Sequence, residues 1–218
     1  MNIAIDGPAG AGKSTIAKLV AKELGNIYVD TGAMYRAMAL FVLRSGVDPA
    51  DTALLEETAG KADITIRHIG GEQHVFLNGE DVSGLIRNEQ VSQMASKVSA
   101  NGAVRRKLVS LQQALAKTTP VVMDGRDIGT VVLPDADVKV YLTASSKTRA
   151  ERRLKDYLGK GGEVPSLEEL IREIEDRDHR DMTREESPLR QAEDAVLIDS
   201  SEMTIGEVVA AIMKLTDK

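Results

Sequence analysis

The chain has 218 residues, of which 42% are hydrophobic, 28% charged and 3% aromatic, and its formal net charge is −6. This acidic balance argues against a partner that is a nucleic acid or an anionic membrane, since both repel a negative surface. The absence of cysteine excludes a disulfide framework and thiolate metal sites. No apolar run is long enough to span a membrane and the start shows no signal-peptide pattern, so we expect a cytoplasmic protein.

The first elements predict the opening of a doubly wound α/β sheet. Residues 2–6 form a short apolar run before a Gly-Pro turn, which is typical of a buried strand. Residues 13–24 carry apolar side chains at helical spacing and end at Gly25. A second strand at 27–30 and a second helix at 33–43 follow. This order of elements predicts a parallel sheet covered by helices.

The turn between the first strand and the first helix matches the phosphate-loop pattern Gly-x-x-x-x-Gly-Lys-Ser/Thr. Glycines allow backbone N–H groups to surround phosphate oxygens, and the following helix directs its positive end at the same anion. Lys13 would reach the β- and γ-phosphates, and the hydroxyl of Ser14 would bind Mg²⁺. We therefore predict that ATP, with Mg²⁺ as cofactor, binds to Gly7, Pro8, Ala9, Gly10, Ala11, Gly12, Lys13, Ser14 and Thr15.

Residues 63–82 change to the alternating pattern of an antiparallel hairpin, with glycine-containing turn signals. We interpret this hairpin as part of a small lobe at 36–100, inserted into a core formed by 1–35 and 101–218. A helix near 101–117 returns the chain to the core.

Three further buried strands are predicted at 120–124, 137–142 and 195–199, giving a five-stranded parallel sheet in a three-layer fold. The first of them ends in Asp124. Considered alone, Asp124-Gly125 is equally typical of a simple turn. Paired with a phosphate loop, a carboxylate at a strand end predicts a second group that holds Mg²⁺.

Arginines occur where an enzyme that joins two phosphates needs them. Such a reaction brings negative charges together, and guanidinium groups hold phosphate oxygens through two hydrogen bonds. Arg36 lies in the first turn of the second predicted helix, for which Thr31 is the expected cap. A solvated side chain is the alternative for Arg36. Arg126 follows a strand end, where ligands bind in α/β sheets.

The region at about 150–184 predicts a short helical lid. Gly159-Lys160-Gly161-Gly162 separates two helices, and Ser166 with Glu169 forms the capping box of the second. Charged residues recur at helical spacing on both sides of this break, namely Arg149, Arg152, Arg153, Arg177, Arg180, Asp181 and Arg184. Ion pairs on a solvated surface are the alternative, but after a phosphate loop such a hairpin favours a closing lid.

Five motifs together resemble the bacterial cytidylate kinase family of nucleoside monophosphate kinases, over nearly the full chain. They are Ile5 to Lys13, Asp30 to Arg36, Gly79 to Ser83, Asp124 to Val132, and Arg177 to Asp181. The resemblance implies an α/β P-loop fold whose inserted lobe binds the monophosphate. It also implies transfer of the γ-phosphoryl group of ATP to CMP or dCMP, and we expect a monomer.

The resemblance implies a role for each matching position. The sugar of CMP would be contacted by Thr31 and Asp181. Its phosphate would be held by Arg36, Arg126 and Arg184, with Tyr35 lining the same pocket. The cytosine would be faced by Ser96, Arg105 and Asp127. The catalytic residues around the transferring phosphoryl group would be Lys13, Arg126, Arg153, Arg177 and Arg184.

Three other functions fit parts of the sequence. A kinase for AMP, UMP or shikimate would share the phosphate loop, and only a comparison of acceptors separates it. A guanine-nucleotide switch needs Asn/Thr-Lys-x-Asp after a strand; the nearest match, Gly60-Lys61-Ala62-Asp63, lacks the first residue and lies in the small lobe. A nonenzymatic nucleotide-binding regulator has no need of an arginine-rich acceptor site.

Overall fold

The computed structural model describes residues 1–160 and 164–216, and the chain divides into two compact units. The phosphate-loop unit comprises Met1–Tyr28 and Thr119–Lys218, and the inserted unit is the continuous stretch Val29–Thr118. The inserted unit is longer at both ends than the predicted lobe at 36–100. It includes two flanking helices because their apolar faces belong to its own hydrophobic core.

Regular elements follow one another along the chain and are numbered in chain order. The helices are α1 (Lys13–Leu24), α2 (Thr31–Arg44), α3 (Thr52–Lys61), α4 (Glu89–Val98), α5 (Gly102–Thr118), α6 (Ser146–Lys160), α7 (Leu167–Thr183) and α8 (Ile205–Thr216). The strands are β1 (Ile3–Asp6), β2 (Ile27–Asp30), β3 (Ile64–Ile69), β4 (Glu72–Leu77), β5 (Glu80–Asp81), β6 (Val121–Gly125), β7 (Val138–Thr143) and β8 (Val196–Asp199). A π-helical turn spans Ile128–Val132.

The five-stranded sheet is parallel and has the strand order β2-β6-β1-β7-β8, which confirms the predicted fold class. β1 lies at its centre, with Ile3 beside Val122 of β6 on one side and beside Val138 of β7 on the other. All four residues of β1 are buried. Strands covered by helices on both faces need nearly continuous apolar sequence, which is why these short runs were recognisable.

The inserted unit contains a three-stranded antiparallel sheet in the order β3-β4-β5, and the predicted hairpin is confirmed. Ile64 pairs with Leu77, and Gly70 and Gly71 form the intervening turn with positive φ values of 63° and 85°. Apolar side chains of α2, α3, α4 and α5 pack with this sheet into one core. The chain therefore folds this insertion around a core of its own.

The start of α2 differs from the prediction in its capping residue. Asp30, rather than Thr31, caps α2, because its Oδ1 accepts a hydrogen bond from the backbone N–H of Ala33 at 2.9 Å. Thr31 is the first helical residue and is buried, and Arg36 consequently lies in the second turn. The capping box of Ser166 and Glu169 is confirmed at the start of α7. Gly161 and Gly162 of the predicted break lie outside the described residues.

Candidate active site

The phosphate loop connects β1 to α1 at the carboxyl edge of the sheet. Its first residue, Gly7, has a φ of 147°, and a Cβ there would lie 1.9 Å from the carbonyl oxygen of Leu142 in β7. No residue with a side chain fits this contact, because real Cβ atoms essentially never come that close to backbone. The neighbouring strand thus fixes where the loop begins.

Lys13 is the first residue of α1 and lies across the loop. Its side chain is buried, and Nζ donates a hydrogen bond to the carbonyl oxygen of Pro8 at 2.7 Å. Burial lowers the pKa of Lys13, and the nearby charge of Arg126 lowers it further, whereas Asp124 and Asp6 oppose the shift. An anion bound in the loop would supply the negative charge that this buried ammonium group needs.

The two predicted Mg²⁺ ligands lie within hydrogen-bonding distance of each other. Ser14 Oγ donates to Asp124 Oδ2 at 2.9 Å, and the hydroxyl of Tyr28 donates to Asp124 Oδ1 at 2.8 Å. Mg²⁺ prefers oxygen ligands and usually takes one or two from the protein and the rest from phosphates and water. A hydroxyl beside a carboxylate fits that preference. Among the described residues no cluster of three or more His, Cys, Asp or Glu side chains offers a metal site.

A cavity of about 820 Å³ opens from the phosphate loop within the same unit. Its lining includes the cationic residues Lys13, Arg152, Arg153 and Arg177. It also includes the apolar residues Met203, Ile205 and Val208 and the hydroxyl-bearing residues Ser200 and Thr204. The segment after β8 carries the Thr204–Glu207 capping box of α8 but no nucleotide-binding pattern, so its lining residues were not predicted as part of the site.

Arg149 is a further residue whose place was not predicted. Its buried guanidinium donates to the carbonyl oxygens of Ala9 in the phosphate loop and Ala144, both at 2.9 Å, and pairs with Asp178 of α7 at 2.6 Å. One arginine therefore joins the loop to both helices of the predicted lid. The sequence showed only its helical spacing from Arg153, which pairs with Glu173 at 3.0 Å.

Three predicted acceptor residues of the phosphate-loop unit are brought together. Arg126 Nε donates to Asp181 Oδ2 at 2.8 Å, and Arg184 Nη1 lies 3.8 Å from Asp181 Oδ1. Burial alone would raise the pKa of Asp181, but the charge and hydrogen bond of Arg126 outweigh it and lower that pKa. The cluster therefore holds an ionised carboxylate between two guanidinium groups.

Asp6 fixes the segment that carries Arg126 and Asp127. Its carboxylate accepts hydrogen bonds from the backbone N–H groups of Ile128 at 2.8 Å and Gly129 at 2.7 Å, at the start of the π-helical turn. Burial raises the pKa of Asp6 to about 6, against the lowering effect of these two bonds. Asp6 directly precedes Gly7, so it links the phosphate loop to this segment. The signal in the sequence that points to this role is a carboxylate at the end of a buried strand.

The inserted unit gathers its own predicted site residues. Arg105 is buried, donates to the carbonyl oxygen of Ser99 at 3.1 Å, and lies over the ring of Tyr35 at 5.2 Å. Ser96 is half-buried in α4, one turn before Ser99. Arg36 pairs with Asp30, with Nη2 2.8 Å from Oδ2. A planar guanidinium beside an aromatic ring suits recognition of a flat polar group.

Comparison with known proteins agrees with these features. The family model for cytidylate kinase matches residues 3–218. The cytidylate kinase of Caldicellulosiruptor bescii is 52% identical over 215 residues, covering 99% of this chain and 95% of that protein. The Lactobacillus gasseri enzyme is 47% identical over 218 residues, covering 100% and 94%. The shikimate kinase structure from Bacteroides thetaiotaomicron shares the fold, with a TM-score of 0.52 at 14% identity and coverage of 100% and 99%.

Proposed function

The chain belongs to the cytidylate kinase family, and from that premise we propose that it transfers the γ-phosphoryl group of ATP to CMP or dCMP, giving ADP and CDP or dCDP. One observation carries the proposal within the structure. Ser14 of the phosphate loop donates to Asp124, which lies two residues before Arg126, and Arg126 belongs to the cluster with Asp181 and Arg184. Groups suited to a donor phosphate and groups suited to an acceptor phosphate are thus neighbours.

The donor is assigned to the cavity at the phosphate loop. Residues 7–15 bind the phosphates, and the apolar lining residues Met203, Ile205 and Val208 accommodate the base. Ser14 and Asp124 would hold Mg²⁺, which supplies positive charge to the phosphate oxygens when it is bound. The cavity is large enough for a nucleotide, since ligand pockets of about 300–1,000 Å³ are usual.

We assign the acceptor to side chains that suit the successive parts of CMP, with arginines for its phosphate and mostly polar side chains for its sugar and base. Its phosphate is bound by Arg36, Arg126 and Arg184, its sugar by Thr31 and Asp181, and its base region by Tyr35, Ser96, Arg105 and Asp127. A carboxylate such as Asp127 accepts from the amino group of cytosine, where uracil carries a carbonyl oxygen. An unpaired buried group costs about 1–3 kcal/mol, which favours cytosine over uracil.

The chemistry needs no strong base. The phosphate of CMP is already largely dianionic near neutral pH, because its second pKa is about 6. It attacks the γ-phosphorus in line, while Lys13, Arg153 and Arg177 stabilise the negative charge that spreads over the transferring group. We assign to the helices at about 150–184 the exclusion of water, which would otherwise accept the phosphoryl group. A monomer suffices for this scheme.

Initial rates with CMP, dCMP, UMP, AMP and shikimate, measured through ADP release, test the proposal. We expect CMP and dCMP to be phosphorylated fastest. Faster turnover of AMP, UMP or shikimate would assign the chain to a different acceptor. ATP binding without turnover of any acceptor would favour a nucleotide-binding regulator instead.

A further inference from the structure

The junction of β2 and α2 in the inserted unit is held by a side chain from the hairpin. The backbone N–H of Asp30 donates to Gln73 Oε1 at 2.7 Å, and Gln73 Nε2 donates to the carbonyl oxygen of Asp30 at 3.2 Å. The amide of Gln73 therefore satisfies both main-chain groups of Asp30, as a neighbouring strand would. A residue 43 positions away fixes the backbone where α2 begins.

The side chain of Asp30 makes two contacts from this fixed backbone. Oδ1 caps α2 by accepting from the N–H of Ala33 at 2.9 Å, and Oδ2 accepts from Arg36 Nη2 at 2.8 Å. Both carboxylate oxygens are thus committed. The orientation of the Arg36 guanidinium follows from the position of Asp30.

The missing side chain of Gly32 provides room for the Arg36–Asp30 ion pair. A Cβ at Gly32 would lie 3.1 Å from Arg36 Nη1 and 3.2 Å from Asp30 Oδ1. The backbone of Gly32 is not in the left-handed region, so conformational freedom does not account for the glycine. The proximity of the Arg36–Asp30 pair does account for it.

Arg36 keeps donor capacity beyond its bond to Asp30. Its Nε atom is buried, and among the residues that the structure describes it finds no hydrogen-bond acceptor. Burying a polar group without a partner is unfavourable, so an acceptor on a ligand would be stabilised there. Nη2 of Arg36 is held by Asp30, and Nε can donate a hydrogen bond to a bound anion.

We propose that Gln73 and Asp30 are positioning residues for Arg36 in acceptor binding. Gln73 fixes Asp30, and Asp30 holds the guanidinium of Arg36 in the orientation that receives the phosphate of the monophosphate. This inference rests on the proposed function and deepens it. It also assigns a function to the β3–β4 hairpin, because Gln73 of this hairpin holds the backbone segment that carries Arg36.

The first test replaces Gln73 by alanine and measures KM for CMP, KM for ATP, kcat and Tm. We expect KM for CMP to rise about three- to tenfold, as the loss of one or two hydrogen bonds implies, with KM for ATP unchanged. Glu72→Ala is the matched control, because Glu72 is the exposed neighbour on the same strand. A lower Tm with an unchanged KM for CMP would mean that Gln73 only stabilises the hairpin, which overturns the proposal.

A double-mutant cycle separates positioning from general damage. In an Arg36→Ala background the Gln73→Ala change should no longer raise KM for CMP, because Gln73 acts through Arg36. Equal fold-changes in both backgrounds would contradict this. The wild-type enzyme is assayed alongside: absence of CMP phosphorylation there would refute the proposed function itself, whereas a Gln73 effect independent of Arg36 would refute only the positioning role.

Gly32→Ala tests the same idea without removing any hydrogen bond. Alanine is the better helix former, so Tm should stay level or rise. The added Cβ crowds the Arg36–Asp30 pair, and we expect KM for CMP to increase severalfold while KM for ATP does not change. A variant with the wild-type KM for CMP would show that the pair tolerates displacement, against the proposal.

Discussion

Each unit contributes a cation for phosphate chemistry, Lys13 in one and Arg36 in the other, and the two cations are compensated differently. In the phosphate-loop unit, backbone geometry places a buried Lys13, and burial with the charge of Arg126 lowers its pKa. In the inserted unit, Arg36 is about one-fifth exposed and already paired with Asp30. A buried cation without a carboxylate partner contributes the most electrostatic free energy when a phosphate binds. A cation that is already paired with a carboxylate contributes less. The effects of mutation should follow the same order.

The largest expected effect comes from Lys13→Ala. Turnover should fall about 10²–10³-fold, because one preorganised group that stabilises transition-state charge is lost. The free energy of unfolding should stay level or rise, since a buried ammonium with a lowered pKa destabilises the fold. Kinetics and urea unfolding measure the two quantities, with the exposed Lys22→Ala as control. Near-normal turnover of Lys13→Ala would contradict the expectation that Lys13 contributes more to phosphate transfer than Arg36 does.

Asp181→Asn tests the cluster that pairs in the phosphate-loop unit. Loss of the carboxylate leaves Arg126 buried with a weakened partner, so kcat/KM for CMP should fall about ten- to hundredfold. Tm should fall as well, because breaking a buried pair is destabilising. Asp176→Asn, on the exposed side of α7, is the control. If both variants retain wild-type kinetics, Asp181 has no part in acceptor binding.

A smaller effect is expected for Arg36→Lys in the inserted unit. Lysine keeps the charge but loses the planar fork that contacts carboxylate and phosphate together, so KM for CMP should rise about three- to tenfold with little change in kcat. Arg44→Lys, whose exposed side chain pairs with Glu80 on the same helix-and-hairpin unit, provides the comparison. A loss as large as that of Lys13→Ala would mean that pairing with Asp30 does not moderate the role of Arg36.

The smallest effect concerns Asp6 and pH. The pKa of Asp6 is raised to about 6, so between pH 5 and 7 the folded protein holds a proton that the unfolded chain has lost. The contribution of Asp6 to the free energy of unfolding therefore decreases by about 1 kcal/mol as pH rises over this range. Asp6→Asn lacks this contribution. Urea unfolding of both proteins across the range should give converging or crossing curves; parallel curves would contradict the raised pKa.

Local patterns explain what the sequence revealed. β1, the phosphate loop and α1 are consecutive, and each depends on neighbours within a few residues, so residues 2–24 were predicted almost to the residue. Ser14 and Asp124 were both predicted as Mg²⁺ ligands, because a phosphate loop is accompanied by a carboxylate at a strand end, and Ser14 Oγ donates to Asp124 Oδ2 at 2.9 Å.

Side-chain direction explains what remained hidden. The helical spacing of Arg149 is the same whether it faces solvent or the phosphate loop, and packing of α6 decides which. The sequence around Gln73 indicates only a position in a hairpin, and its contact with Asp30 depends on the tertiary structure. The cap of α2 was missed for the same reason: Asp30 and Thr31 are both good caps, and where β2 ends determines the choice.

The pairing of β1 has a consequence for how the chain is made. Ile3 lies beside Val122 and Val138, so both hydrogen-bonding neighbours of the first strand are synthesised more than a hundred residues after it. The stretch Val29–Thr118 is synthesised before either neighbouring strand. The apolar residues of the amino-terminal strand therefore cannot be buried in the central sheet until β6 and β7 have been made.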